Sequence, residues 1–155
     1  MRYLIPLLLL FSTASAEVTL ELGPTFLSST LSNSAALMIT ERWGGKYSDS
    51  YSIGMGMTGP QEVTDSAGDF YEVKQNLWIQ AQRRFCVLKG KHMCAGLGFA
   101  YFNGLSRWNG SNFVAALSIE IRPDERWSVN FRHYSNGGSV TPNMGQDILT
   151  LGWTF

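Results

Sequence analysis

The sequence predicts an all-β protein, an eight-stranded antiparallel transmembrane β-barrel of the outer-membrane kind, on three observations. Segments of about ten residues alternate apolar with polar side chains, as strands do when one face meets lipid and the other a polar lumen. Charged residues make up 15% of the chain, against roughly 25% in soluble domains. Long connections rich in Gly, Ser, Asn and Pro alternate with tight turns, which is the loop pattern of such barrels.

The N-terminal segment has the three parts of a secretory signal peptide. Arg2 supplies the positive charge, residues 4–11 are the apolar run, and Ala14-Ser15-Ala16 offers a cleavage site between small residues. The apolar run is too short to cross a bilayer as a helix. We therefore expect residues 1–16 to be a signal peptide and residues 17–155 to form one barrel domain.

Eight segments carry the alternation. In residues 18–26, Leu20 and Leu22 share one face while Thr19 and Glu21 share the other, because successive strand side chains point to opposite faces. The same pattern recurs to the end of the chain. The predicted strands are residues 18–26, 35–43, 51–58, 70–85, 94–102, 112–122, 127–135 and 146–155.

The connections fit a barrel with both termini in the periplasm. Residues 59–69 and 137–145 are long and rich in Gly, Ser and Asn, as extracellular loops are. Residues 44–46, 89–91 and 123–125 are tight turn sequences. These lengths place the predicted long loops and the predicted turns at opposite ends of the barrel.

A soluble exported barrel that encloses a ligand, of the lipocalin kind, is the alternative architecture. It would need its apolar face turned inward. Too many large polar side chains share the second face for that, and a polar lumen with an apolar, lipid-facing exterior accommodates them better. The side chains concerned are Glu72, Lys74, Gln80, Arg84, Glu120, Arg122, Asn130 and Arg132.

The two cysteines, Cys86 and Cys94, flank the predicted turn at residues 89–91. In an exported chain they predict a disulfide bond across that turn. Metal binding is the weaker alternative, because His92 is the only additional soft ligand nearby and a structural zinc ion usually takes four. The formal net charge is zero, which gives no electrostatic case for binding nucleic acid.

Three polar residues interrupt the predicted apolar exterior at one end of neighbouring strands. His133 and Ser135 share the face of Phe131, and Asp147 shares the face of Leu149 on the next strand. Polar groups on the lipid-facing side cost free energy toward the midplane and less near the interface. Polar residues at headgroup level need no further role, so a structural explanation stays open.

The functional explanation is a hydrolytic site that opens sideways to the membrane. Ser135 would be the nucleophile, His133 the general base and then acid, and Asp147 the group that orients the imidazole. The residues after the serine would stabilise an oxyanion through a side-chain amide or backbone N–H groups. These candidates are Asn136, Gly137 and Gly138.

At these residues the sequence resembles the outer-membrane lipid A 3-O-deacylases, the PagL-type family. The resemblance implies an eight-stranded barrel with a serine esterase site on its lipid-facing exterior, no metal and no cofactor. It also implies removal of the ester-linked acyl chain at position 3 of lipid A, the lipid of lipopolysaccharide, in the outer leaflet of the Gram-negative outer membrane. The matching residues are His133-Tyr134-Ser135-Asn136-Gly137-Gly138, Pro142-Asn143, Gly145 and Asp147.

One departure from the family and two other functions stay open. The family's acidic residue is usually glutamate, and Asp147 is one methylene shorter, so its reach to His133 is in question. An esterase for phospholipid or another acylated lipid is one alternative, and a non-enzymatic structural or adhesive barrel is the other. Expected partners are lipid A, outer-membrane lipid, and the barrel-assembly machinery through Phe155. A homodimer is left open.

Overall fold

The computed structural model describes residues 16–27, 30–44, 48–64, 68, 70–73, 75–88, 92–103, 110–138 and 145–155. The first fifteen residues of the expected signal peptide, the predicted turn at residues 89–91 and the Pro142-Asn143 pair lie outside this range. No helix in the described part of the chain is long and apolar enough to cross a membrane.

The described chain forms ten β-strands. They are β1 Ala16–Leu27, β2 Thr30–Gly44, β3 Ser50–Thr58, β4 Gln61–Thr64, β5 Phe70–Val73, β6 Asn76–Leu88, β7 Met93–Phe102, β8 Phe113–Ile121, β9 Trp127–Ser135 and β10 Gln146–Thr154. Eight of them close a barrel in the order β1-β10-β9-β8-β7-β6-β3-β2. Every neighbouring pair is antiparallel, so the predicted fold class is confirmed.

The predicted alternation also holds in three dimensions. Even-numbered residues of β9 are buried and its odd-numbered residues are exposed or half-buried. Large apolar side chains cover the outside of the barrel, and polar and aromatic side chains fill its inside. Exposed examples from five strands are Leu22, Ile79, Phe99, Leu117 and Leu151.

The interior has a charged end and an aromatic end. Where β1 begins and β10 ends, which we call the terminus end, Glu120 forms ion pairs with Arg42, Arg84 and Arg122, each at 2.9 Å. Toward the other end, the loop end, Trp78 stacks on Phe102 with 5.4 Å between ring centroids. Around Glu120, opposite charges are thus paired inside the barrel, as a packed polar lumen requires of its buried ions.

The predicted strand at residues 70–85 is wrong as a single element. Residues 70–73 are β5, which pairs with β4 in a two-stranded hairpin, and β6 begins at Asn76. The β4–β5 pairs continue the register of the β3–β6 ladder, from Thr58 opposite Asn76 to Gln61 opposite Val73. Pro60 lies in the gap, and proline has no N–H to donate to a ladder, which accounts for the break.

The hairpin changes two further predictions. The predicted loop at residues 59–69 contains β4. Glu72, predicted to line the lumen, is exposed on β5, whereas Lys74 lies outside the described residues. The hairpin leaves the barrel between β3 and β6, and this position is diametrically opposite the pair β9 and β10.

Candidate functional site

The site begins with the pairing of β9 and β10. Asp147 stands directly opposite His133, in a register that runs without irregularity from Gln146 to Trp153. Opposed residues on one face of an antiparallel pair have Cβ atoms only about 4.5–5.5 Å apart. The short side chain of aspartate spans that gap, and its Oδ1 lies 2.6 Å from the imidazole Nδ1. Asp147 therefore reaches His133 without a shift of the strand ends.

Ser135 lies on the same outward face, two residues beyond His133 toward the loop end. Two residues of a strand rise about 6.6 Å. Ser135 is the last residue of β9, opposite Ala115 of β8. The N–H of Gly137 donates a hydrogen bond to Ser135 Oγ at 3.0 Å. The hydroxyl is thus held by the turn that follows the strand.

The turn after β9 needs two glycines in succession. Gly137 and Gly138 have φ angles of 67° and 77°, a left-handed conformation that costs other residues free energy. The N–H of Gly138 donates to Asn136 Oδ1 at 2.9 Å. This bond fixes the side chain of Asn136, the residue after Ser135, through its carbonyl oxygen. The turn therefore gathers backbone N–H groups and one amide next to the candidate nucleophile.

The site is open to the outside of the barrel wall. The side chains of His133 and Asp147 are 39% and 20% exposed. Their outward neighbours are apolar: Leu117 lies opposite His133 on β8, and Phe131 and Leu149 follow toward the terminus end. A polar, hydrogen-bonded pair thus sits at the edge of a continuous apolar surface.

Tyr134 supports the site from inside the barrel. It lies between His133 and Ser135 in the chain and points into the lumen, where it is 1% exposed. Its hydroxyl donates to Gln80 Oε1 at 2.6 Å, and its ring packs edge-on against Trp78 and Phe102. Sequence reasoning assigned Tyr134 no role, although an aromatic residue at an inward position between two site residues was the available signal.

The two cysteines lie far from this site. Cys86 of β6 and Cys94 of β7 are joined by a disulfide bond, with their Cα atoms 4.0 Å apart. The bond spans the connection between the two strands at the terminus end, where the β6–β7 register is irregular between Phe85 and Leu88. Within the described residues, no group of three or more His, Cys, Asp or Glu side chains is arranged to hold a metal ion.

Comparison with profiles of protein families gives no match. Comparison with curated protein sequences gives none either. Among solved structures, the chain is similar to the crystal structure of the outer membrane enzyme PagL, at 19% sequence identity and a TM-score of 0.50. The match covers 90% of this chain and 98% of that one. This likeness shows a common barrel fold, in agreement with the strand order described above.

Proposed function

We propose that this chain is an outer-membrane esterase that removes the 3-O-linked acyl chain of lipid A. The observation that carries the proposal is the hydrogen bond of 2.6 Å between Asp147 and His133 on the outward face, with Ser135 on the same face of β9. An acid, a base and a hydroxyl in this order are the parts of a serine hydrolase. The fold of the outer membrane enzyme PagL adds support at the level of architecture.

The proposed chemistry follows from which imidazole nitrogen is engaged. Because Nδ1 faces the carboxylate of Asp147, Nδ1 carries the proton and Nε2 is the basic nitrogen. Nε2 takes the proton of Ser135 as Oγ attacks the ester carbonyl carbon. It then returns that proton to the departing sugar hydroxyl, which leaves an acyl-serine. Water activated by His133 attacks the acyl carbon and releases the fatty acid.

The turn after β9 supplies candidate oxyanion donors. The N–H of Gly137 donates to Ser135 Oγ, and it would serve an oxyanion by turning from Oγ to the carbonyl oxygen as the ester is attacked. Asn136, whose Oδ1 accepts from the Gly138 N–H, is the second candidate, through its side-chain amide. Removing one such donor from a serine hydrolase typically lowers kcat by about 100- to 1000-fold.

The surroundings of the site favour an acylated membrane lipid over a soluble ester. Phe113, Leu117 and Phe131 are 59%, 46% and 40% exposed on the outward face around the site. In a bilayer this face already lies against lipid acyl chains and not water, so a membrane lipid whose chains lie along it would present its ester at the polar edge.

The test is mass spectrometry of lipid A from Gram-negative cells with and without this chain. We expect loss of the 3-O-acyl group with the parent and an unchanged lipid A with Ser135→Ala, which removes the nucleophile and no packing contact inside the barrel. The Ser135→Ala protein should still migrate as a folded, heat-modifiable barrel.

Other outcomes assign the alternatives. Release of fatty acid from phospholipid, with lipid A intact, would make the chain an esterase for another lipid. Acyl release that persists at the parental rate in Ser135→Ala would refute the nucleophile. A parent inactive on every acylated lipid would leave a structural or adhesive barrel.

A further inference from the structure

Gly145 occupies a position at which any side chain would collide with His133, the candidate general base. Gly145 directly precedes β10, and the register of β9 and β10 pairs Asp147 with His133 and Gln146 with Tyr134. Gly145 is the next residue beyond that register, at the end of the strand pair where β9 finishes with Ser135. The glycine and Asp147 are two residues apart, so they flank the imidazole along the same edge of the site.

The imidazole occupies the volume that a side chain at position 145 would need. A Cβ added to Gly145 would lie 2.9 Å from His133 Cε1 and 3.7 Å from Nδ1. The first distance is shorter than Cβ contacts in real proteins. The ring therefore extends from Asp147, which it contacts through Nδ1, toward position 145, which is the direction of Ser135.

Three other left-handed glycines in the described part of the chain have open space at the Cβ position. Gly68, Gly137 and Gly138 have φ angles of 87°, 67° and 77°, and a Cβ on any of them would meet nothing within 4 Å. Their backbone conformation alone accounts for glycine. Gly145 has a φ angle of 70°, and in addition the His133 ring stands where its Cβ would lie, so the absence of a side chain also makes room for that ring.

We infer that Gly145 is a positioning residue for the proposed esterase. By presenting no side chain to the imidazole, it lets the ring lean from Asp147 toward the serine, so that one ring serves both partners. Any Cβ at this position displaces the ring from that line. The inference rests on the proposed function for its catalytic meaning, and on the contact between Gly145 and His133 for its geometry.

The experiment uses two substitutions at Gly145 and matched ones at Gly68. Gly145→Ala adds a Cβ, and Gly145→Asn adds one while tolerating the left-handed backbone better than most residues. Gly68→Ala and Gly68→Asn impose the same backbone change at a position with open space. Because Gly68 lies next to the β4–β5 hairpin, across the barrel from β9 and β10, its variants report backbone strain alone.

Two readouts separate positioning from stability. In acyl release from purified lipid A in detergent micelles, we expect kcat of both Gly145 variants to fall about 100-fold, the loss typical of an ångström-scale misplacement, with KM little changed. In proton NMR, the strongly low-field signal of the His133 Nδ1–H, identified by its absence in His133→Ala, should shift or disappear. The Gly68 variants should keep the parental kcat and the parental signal.

A third measurement needs no variant at Gly145. In the parent protein, the Hε1 proton of His133 should show a nuclear Overhauser effect to the Hα protons of Gly145. Absence of that effect would overturn the inference even if neither Gly145 variant folds. Parental kcat in a folded Gly145 variant, or an equal loss in the Gly68 variants, would also overturn it. A parent inactive on lipid A would refute the esterase, while both NMR signals would still report the ring position.

Discussion

At the scale of the residue, the strand register determines which acidic side chain has the right length to reach His133. Asp147 lies directly opposite His133, where facing Cβ atoms are about 5 Å apart. Aspartate fills that distance with a hydrogen bond of 2.6 Å. A glutamate would have one methylene too many for this direct pairing and would have to fold back. Aspartate in place of the glutamate expected from the resemblance to the PagL-type deacylases is therefore compatible with an intact hydrogen-bonded pair.

Replacing the acid should lower turnover without unfolding the barrel. Asp147→Asn keeps the shape but removes the charge that stabilises the imidazolium and fixes its tautomer, so we expect kcat to fall by about 10- to 1000-fold, or about 1.4 kcal/mol of barrier for each factor of ten. Asp147→Glu should stay within about tenfold of the parent. The assay is acyl release from lipid A in micelles at matched folded fraction. Parental activity in Asp147→Asn would reduce the site to a His–Ser dyad.

At the scale of the element, β9 carries the site on one face and its anchor on the other. Tyr134 is buried among Trp78 and Phe102 and bonded to Gln80, so the backbone between His133 and Ser135 is held from within. The alternation of strand side chains couples the two faces. Packing in the lumen therefore fixes the spacing of groups outside it.

Two substitutions of Tyr134 should separate the contribution of its ring packing to stability from that of its hydrogen bond. Tyr134→Phe keeps the ring and loses the bond to Gln80, which we expect to cost about 1 kcal/mol of unfolding free energy with little change in kcat. Tyr134→Ala empties the aromatic cluster and should cost about 3–5 kcal/mol and lower kcat as well. Urea titration of protein refolded into lipid vesicles measures both. Equal stability of the two variants would contradict this account.

The disulfide belongs to the connection between β6 and β7 and should affect stability alone. The double variant Cys86→Ser, Cys94→Ser removes a cross-link between residues eight positions apart in the sequence. Loop-closure entropy predicts that the free energy of unfolding falls by about 2–3 kcal/mol. The acyl-release rate per folded molecule should not change, because the bond lies at the terminus end. A folded double variant with impaired hydrolysis would show that the two ends of the barrel are coupled.

The alternation of polar and apolar residues predicted most of the fold. The features that it did not predict depend on which strands pair with each other. The outward face of β9 and the inward positions of Arg84, Glu120 and Arg132 follow from residue parity, which each strand carries in its own sequence. The break at Pro60 depends on which segment lies opposite, and that is a long-range property. The proximity of position 145 to the His133 ring was also missed, because it too depends on which segments lie side by side.

At the scale of the whole molecule, the barrel is closed around charges that neutralise one another. Glu120 contacts three buried arginines, and Glu17 contacts two of these, Arg42 and Arg122, at 2.9 Å. Breaking a buried ion pair by removing one partner typically costs more than the pair itself contributes, because the remaining charge stays buried. The terminus end of the lumen therefore depends on a few carboxylates.

Glu120→Gln should destabilise the barrel although it keeps the shape of the side chain. It leaves Arg42, Arg84 and Arg122 with a neutral neighbour, and we expect a loss of about 3–5 kcal/mol in unfolding free energy. Glu62→Gln, on the exposed hairpin, is the matched control and should change stability by less than about 0.5 kcal/mol. Thermal unfolding followed by gel mobility compares them. Similar melting of the two variants would rule out a structural role for the arginine cluster.

The candidate site lies on the outer surface of the barrel and not in its lumen. The proposed enzyme would therefore meet its substrate only within the plane of the membrane. Substrate arrives and product leaves by lateral diffusion in the membrane leaflet. The rate therefore depends on the mole fraction of substrate in that leaflet and not on its bulk molarity. Adding inert lipid at fixed total substrate should slow each enzyme molecule, whereas diluting the whole suspension with buffer should not. For this geometry, the mole fraction of substrate in the surrounding leaflet takes the place of the substrate concentration in solution.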